Sequence, residues 1–355
     1  MENFPETEIN DLTTHASILS NWLHSPLHET INYLINKKDL DLCLKISKNF
    51  KNSLLENIQT KLEDAFLTKS SSTKYEIHST LYQLYNLQIC DPLSNAAINQ
   101  HQPFFYEIRN KIEEYWLNFL NLDFIYNSKD TDETISDLIL SLCSNMNLSE
   151  HPLFNFLAKE ATERQLFAFF NSDYELNVRF FDLLLLTLLN SPTTGRMEMI
   201  KNLWDESGKG NRKETHVNMF NDLIENFKLD DKILIEPHNT WQKLAGYNLF
   251  MLASLNRKYY YLLLGIMAAT EIIDPQSYIK VQEACKRYNM NDWLYRYYSE
   301  HSEIDVEHAK GWLTYVIEPI VAANNVKHDI LLGTYFRLKT CNDYYDSLYQ
   351  YLKAI

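Results

Sequence analysis

Residues 297–312 read YYSEHSEIDVEHAKGW, a stretch with the pattern of a helix. At about 100° per residue, offsets of four and seven put His301, Asp305 and His308 within roughly 60° of arc on one face. Two imidazoles and a carboxylate converging there combine borderline-soft and hard ligands. That set suits a first-row transition metal, not calcium or magnesium. Taken alone, the stretch has a second reading. Glu303 and Glu307 make it acidic throughout, as a solvated helical face would be.

The rest of the chain points to helices. It has 355 residues, with only 7 Gly and 9 Pro, and no region shows several short alternating strands with turn signals. This is an all-α composition, long enough for one large domain or two smaller ones. The formal net charge of -14 leaves no basic footprint, so no nucleic-acid partner is expected. Five dispersed cysteines without a CxxC spacing read as reduced packing thiols of a cytoplasmic protein. The polar, acidic start MENFPETEIND does not read as a leader. The longest apolar run, YYYLLLGIMAAT at 259–270, is too short to span a bilayer and reads as a buried core helix, so no membrane partner is expected. Walker A, GxGxxG and GxSxG motifs are all missing from the sequence.

Residues 1–100 carry amphipathic helical periodicity without a set of metal-competent residues and read as an N-terminal helical extension, with 101–355 as the main domain. One face of those helices must bury against something, which makes assembly, such as a homodimer, or substrate cover the expected role. From Pro103 the helices lengthen. The pattern predicts a break near Asp173 and Tyr174, with Glu175 opening the next helix. It also predicts one long helix from about Trp241 to Glu271, ended by Asp274 and Pro275.

Three of the seven glycines fall between 195 and 210. Gly208 and Gly210 follow Glu206 directly, as at a helix end that turns sharply, and His216 opens the next helix. A tight turn of that kind brings Glu206 and His216 to one point. The stretches NLWDESGKG (202–210) and THVNMF (215–220) resemble the iron-containing redox enzymes of the heme-oxygenase-like diiron oxidase/oxygenase superfamily. AKEATERQLFAFFNSDYE (158–175), RFFDLLLLTLLNSPTTGR (179–196), NLFMLASLNRKYYYLLLGIMAATE (248–271) and HSEIDVEHAKGW (301–312) extend the resemblance over about 103–340.

The resemblance implies a heme-oxygenase-like helical bundle and a ligand set of Glu175, Glu206, His216, Glu271, His301, Asp305 and His308. It implies two Fe(II) ions, O2 as co-substrate, and oxidation of a small amino-acid-like or fatty-acid-like molecule by N-oxygenation, desaturation or C–C cleavage. One ion would take Glu175, His216 and His308, the other Glu206, His301 and Asp305, with Glu271 bridging. The charges agree independently: carboxylates at 175, 206, 271 and 305 balance two divalent cations in a buried bundle, where uncompensated charge is costly. Asp205 and Asp182 are the expected supports of ligand imidazoles. Arg179, Arg257 and Arg296, on helices that carry ligands, are the expected grips for a substrate carboxylate. Two alternatives stay open: a different metal (Mn/Fe or Zn) in the same site, and a non-catalytic helical interaction protein.

Overall fold

The computed structural model describes residue 19 and residues 21–124, 133–227 and 237–355. Every regular element among the described residues is helical. The chain divides into two compact units, Met1–Leu122 and Asp123–Ile355.

The first unit holds α1 (Leu27–Ile35), α2 (Leu40–Ile46), α3 (Lys48–Phe66), α4 (Ser71–Asn86), α5 (Asn95–Ile98) and α6 (Pro103–Asn121). Pro103 sits at the first turn of α6, where its missing N–H costs nothing. Phe104, Ile108, Ile112, Trp116 and Leu120 then recur at fours and bury one face, and α6 packs on α3 and α4. For that reason the division falls after Leu122, whereas the composition pointed to residue 100.

In the second unit, Thr134 and Asp137 form a reciprocal capping box that opens α7 (Ile135–Met146). His151 caps α8 (Pro152–Lys159), its Nδ1 accepting from the Leu153 N–H at 3.1 Å. A second capping box, Thr162 with Gln165, opens α9 (Glu163–Leu188). No glycine or proline interrupts α9, so the break predicted at Asp173 and Tyr174 does not occur. There follow α10 (Thr193–Glu206), α11 (His216–Asn226), α12 (Trp241–Leu255), α13 (Tyr260–Arg287) and α14 (Arg296–Gly311). After α14 come a π-helical turn (Trp312–Ile317), α15 (Glu318–Ala323) and α16 (Lys327–Ala354).

The helix predicted over 241–271 is two helices. Asn256 is extended (φ -123, ψ 105), and its side chain accepts from the Lys258 N–H to start the next turn. Nor does Pro275 end a helix: α13 runs through it to Arg287. A proline there removes the hydrogen bond to the carbonyl of Glu271, four residues back. Burial of Glu271, Ile273, Asp274, Ser277 and Tyr278 around it keeps the helix intact.

The core of this unit is α13, buried without interruption from Leu262 to Glu271 and packed against α16, α14 and α8. Its crossing with α16 is glycine on glycine. A Cβ on Gly265 would collide with the Ile330 carbonyl, and one on Gly333 with the Leu262 carbonyl. Neither backbone can yield without moving a helix. Gly265→Ala is therefore expected to destabilise the protein by about 1–3 kcal/mol, read as a lower denaturation midpoint at unchanged m-value.

Candidate metal centre

The helix face singled out in the sequence points inward. His301, Asp305 and His308 are 6%, 4% and 3% exposed, which removes the solvated-face reading. Around them α10, α11 and α13 bring the remaining ligands. Glu206 is the last residue of α10. Gly208 follows with φ 66, in the left-handed region, and a Cβ there would collide with the Glu214 carbonyl. This turn folds the chain back so that Thr215, whose side chain accepts from the Asn218 N–H, caps α11 and His216 begins it. Glu206 and His216 thereby meet, with Glu206 Oε2 2.9 Å from His216 Nδ1.

Two buried groups result. Glu206, His216 and His301 form one; Glu271, Asp305 and His308 form the other. In each, the ligand atoms lie within 4.8 Å of one another. The division differs from the expected one: His216 and His308 stand in different groups, Asp305 sits with Glu271, and each group is complete without a seventh ligand. Glu175 joins neither group. On the unbroken α9, Glu175 lies about 200° around the helix from Asp173. Asp173 lines the cavity that holds Glu206, Glu271, His301 and Asp305. Glu175 lines an adjoining cavity with Lys243 and Tyr247.

The imidazoles are oriented. His301 Nδ1 donates to the Tyr297 carbonyl at 2.8 Å, so Nε2, 3.8 Å from Glu206 Oε1, carries the free lone pair. His308 Nε2 lies 2.9 Å from Asp205 Oδ2, which leaves Nδ1 facing Glu271 at 3.4 Å and Asp305 at 3.7 Å. Asp205 is thus the support expected of it. Asp182 is not: it pairs with Arg179 at 2.6 Å. Both ring nitrogens of His216 are buried with no aligned hydrogen-bond partner, Glu206 being close but poorly directed. A buried imidazole left in this way fits a metal ligand. Asp205→Ala is expected to weaken metal binding at the His308 group by about 10–100-fold, measured by competition with a chromophoric chelator.

The electrostatics of the pocket favour added positive charge. Burial opposes charge on His216, yet Glu206 beside it, with Glu300 behind, raises it to about 10. Burial would raise Glu206, but His216 and then His301 hold it well below the usual carboxylate range. Burial, and the charge on His216, push His301 down. Burial likewise opposes His308, but Glu271 and Asp205 raise it. Asp305 is driven well above its ordinary value by burial and by Glu271. Carboxylates crowded in this way favour added cations, and two divalent ions would supply them.

Three further residues line the same cavity: Asp173, Asp274 and Arg337. Asp274 had a signal in the sequence, since it follows Glu271 by three residues and shares its helix face. Arg337, on α16, belonged to no motif. The three arginines chosen from the sequence all turn elsewhere. Arg179 pairs with Asp182, Arg257 donates to the Leu189 carbonyl at 2.9 Å, and Arg296 pairs with Asp222 at 2.6 Å.

No curated protein matches the chain. One solved structure similar to it is a CADD-like protein of unknown function from Nostoc punctiforme. That structure is 16% identical over 61% of this chain and 97% of its own, with a TM-score of 0.47. The model of the iron-containing redox enzyme family matches residues 168–340, a shorter span than the 103–340 expected. The matched segment contains both ligand groups, the turn that joins Glu206 to His216, and the cavity arginine. The likeness to the iron-containing redox enzyme family therefore spans the site-bearing residues 168–340, just under half of the chain.

Proposed function

We propose that this chain is an O2-dependent non-heme diiron oxidoreductase, with one Fe(II) at each buried group, acting on a small organic molecule. The observation that carries this reading is the pair of complete, buried carboxylate–imidazole groups opening on one cavity. Bound iron would supply the electrons that reduce O2 and the oxidising power turned on the substrate.

The chain's own residues do the remainder. Asp205 and the Tyr297 carbonyl fix which nitrogen of His308 and His301 faces inward. Glu206, Glu271 and Asp305 would offset three of the four positive charges of two such ions, with Asp205 behind His308 available for the fourth, in a site that is nearly closed to solvent. Tyr297 (3% exposed), with its ring 4.1 Å from that of His301, Tyr278 and Phe169 wall the cavity and exclude water from it. The first unit has no group of metal-competent side chains among the described residues, which favours assembly or cover over chemistry there. No described helix is long and apolar enough to cross a membrane.

Anaerobic loading with Fe(II), followed by O2 in the presence of a panel of amines and carboxylic acids, tests the reading. The expected result is O2 uptake that depends on both protein-bound iron and one class of substrate. Uptake no greater than that of free iron, across the panel, would contradict it.

A further inference from the structure

Arg337 is 6% exposed, yet its guanidinium is only partly engaged. Its Nε donates to Thr270 Oγ1 at 3.0 Å, and the group sits 5.1 Å from the centroid of the Phe250 ring. Among the described residues no carboxylate forms an ion pair with it, and its two terminal nitrogens donate to no protein atom. Those nitrogens are not sealed in the core. Arg337 lines the cavity of the candidate metal centre and also the adjoining one. A buried cation whose fork opens on a cavity is set up to grip an oxyanion with two parallel hydrogen bonds.

The same cavity presents the opposite charge. Asp173 accepts from Asn177 Nδ2 at 2.9 Å and keeps part of its surface open toward the cavities it lines. Asp274 is 7% exposed and turned toward Tyr278. Burial raises Asp173 to about 6 and Asp274 to about 7 although Arg337 pulls both down, so each gains from a further cationic partner. A simple carboxylic acid would satisfy Arg337 and add a third negative group beside two. A simple amine would suit the aspartates and leave the arginine fork bare. A zwitterion answers both.

A second cavity adjoins the first. The adjoining cavity shares Asp173, Leu176, Arg337 and Tyr344 with the first and is otherwise walled by Ser172, Glu175, Lys243, Tyr247 and Thr340 on α9, α12 and α16. Gly246 lies in that wall, and a Cβ added to it would meet no atom within 4 Å. Gly246 and Arg337 thus line one cavity, and Arg337 lines the cavity of the ligands as well.

We propose that Arg337, Asp173 and Asp274 form the binding subsite for a small free amino acid. Arg337 takes its carboxylate, and the aspartates take its ammonium group. The proposal deepens the oxidase reading by choosing the amino-acid class over the fatty-acid class, and it rests on that reading only for what happens after binding.

Calorimetric titration of the full chain with L-lysine, L-norleucine and L-phenylalanine tests it, each beside its decarboxylated amine and its deaminated acid. Metal content is measured on the same samples. At least one amino acid is expected to bind about tenfold or more tightly than both of its truncated partners. Arg337→Lys keeps the charge and loses the fork, and is expected to weaken that amino acid and the acid about tenfold while sparing the amine. Asp274→Asn should weaken the amino acid and the amine instead. Gly246→Leu, which leaves all three subsite residues in place, should weaken the amino acid by filling the cavity that Gly246 shares with Arg337 and Asp173; it decides the matter if the Arg337 variant does not fold. The proposal is overturned if no amino acid binds the wild-type chain, if a deaminated acid binds as well as its amino acid, or if a folded Arg337→Lys, or Gly246→Leu where that variant does not fold, binds as wild type. Amino-acid binding without metal would refute the oxidase reading and leave the subsite standing. Metal without amino-acid binding would do the reverse.

Discussion

His308→Ala is expected to lower bound iron from two ions per chain to one, and His216→Ala to do the same through the other group. Each imidazole is one of only three ligands in its group, and neither group contains a spare. Losing a support such as Asp205 costs about 10–100-fold in affinity, and losing a ligand should cost more. The fold should survive. The apolar run of α13 from Leu262 to Ala269 is buried against α16, α14 and α8, and that core owes nothing to metal. The expected signature is halved iron by elemental analysis with an unchanged helical circular dichroism spectrum. Helix content that collapses with the metal would show instead that the ion holds the bundle together. Glu175→Gln is the internal control: Glu175 joins neither group, so this variant should keep both ions.

Metal affinity is expected to rise steeply with pH, while the stability of the metal-free protein falls. His216, raised to about 10, holds a proton at neutral pH that a metal must displace, and His308 and Asp305 are shifted in the same direction. Each displaced proton makes apparent affinity rise about tenfold per pH unit. For stability without metal the sign is opposite. Groups raised in the folded state contribute stability that is complete below their unfolded values, 6.5 for His216 and 3.8 for Asp173 and Asp274. It is lost as pH climbs through about 6 at Asp173, about 7 at Asp274 and about 10 at His216. Glu206 runs the other way, its contribution present above its unfolded value of 4.5 and lost as pH falls through its lowered one. Buried His78 and His238, lowered to about 3 and about 4, and His301, also lowered, oppose the raised groups up to their unfolded value of 6.5 and no longer titrate above it. The melting temperature of metal-free protein should therefore drop by roughly a few degrees between pH 6.5 and 8, where His216 and Asp274 act unopposed. Bound metal replaces the protons at the ligands and should flatten the curve. A metal-free melting temperature that rises from pH 6.5 to 8 would contradict this picture of the pocket.

Much of the centre was legible because helical geometry is local. The offsets of His301, Asp305 and His308 fix a common face without knowledge of anything else, and burial of all three follows the pattern. The Glu206–His216 turn was legible for a related reason: glycines at 208 and 210 mark a backbone that needs positive φ, and both have it. Glu175 went astray on a helix boundary. A break at Asp173 would have given position 175 a free orientation, but the Thr162–Gln165 capping box starts a helix that nothing stops before Leu188, and the turn from 173 to 175 is then set. The split at Asn256 and the passage of α13 through Pro275 were hidden because packing overrode local preference. Arg337 was invisible for a different reason. It lies sixty-six residues beyond Glu271 on another helix, and only the Gly265–Gly333 crossing of α13 with α16 brings that helix against the site.

The most direct test is an anaerobic titration of metal-free protein with Fe(II), read by calorimetry and confirmed by elemental analysis after desalting. Two buried groups of three ligands each predict two equivalents bound, with proton release that accompanies both. Saturation at one equivalent, or no iron retained by a folded chain, would contradict the diiron account.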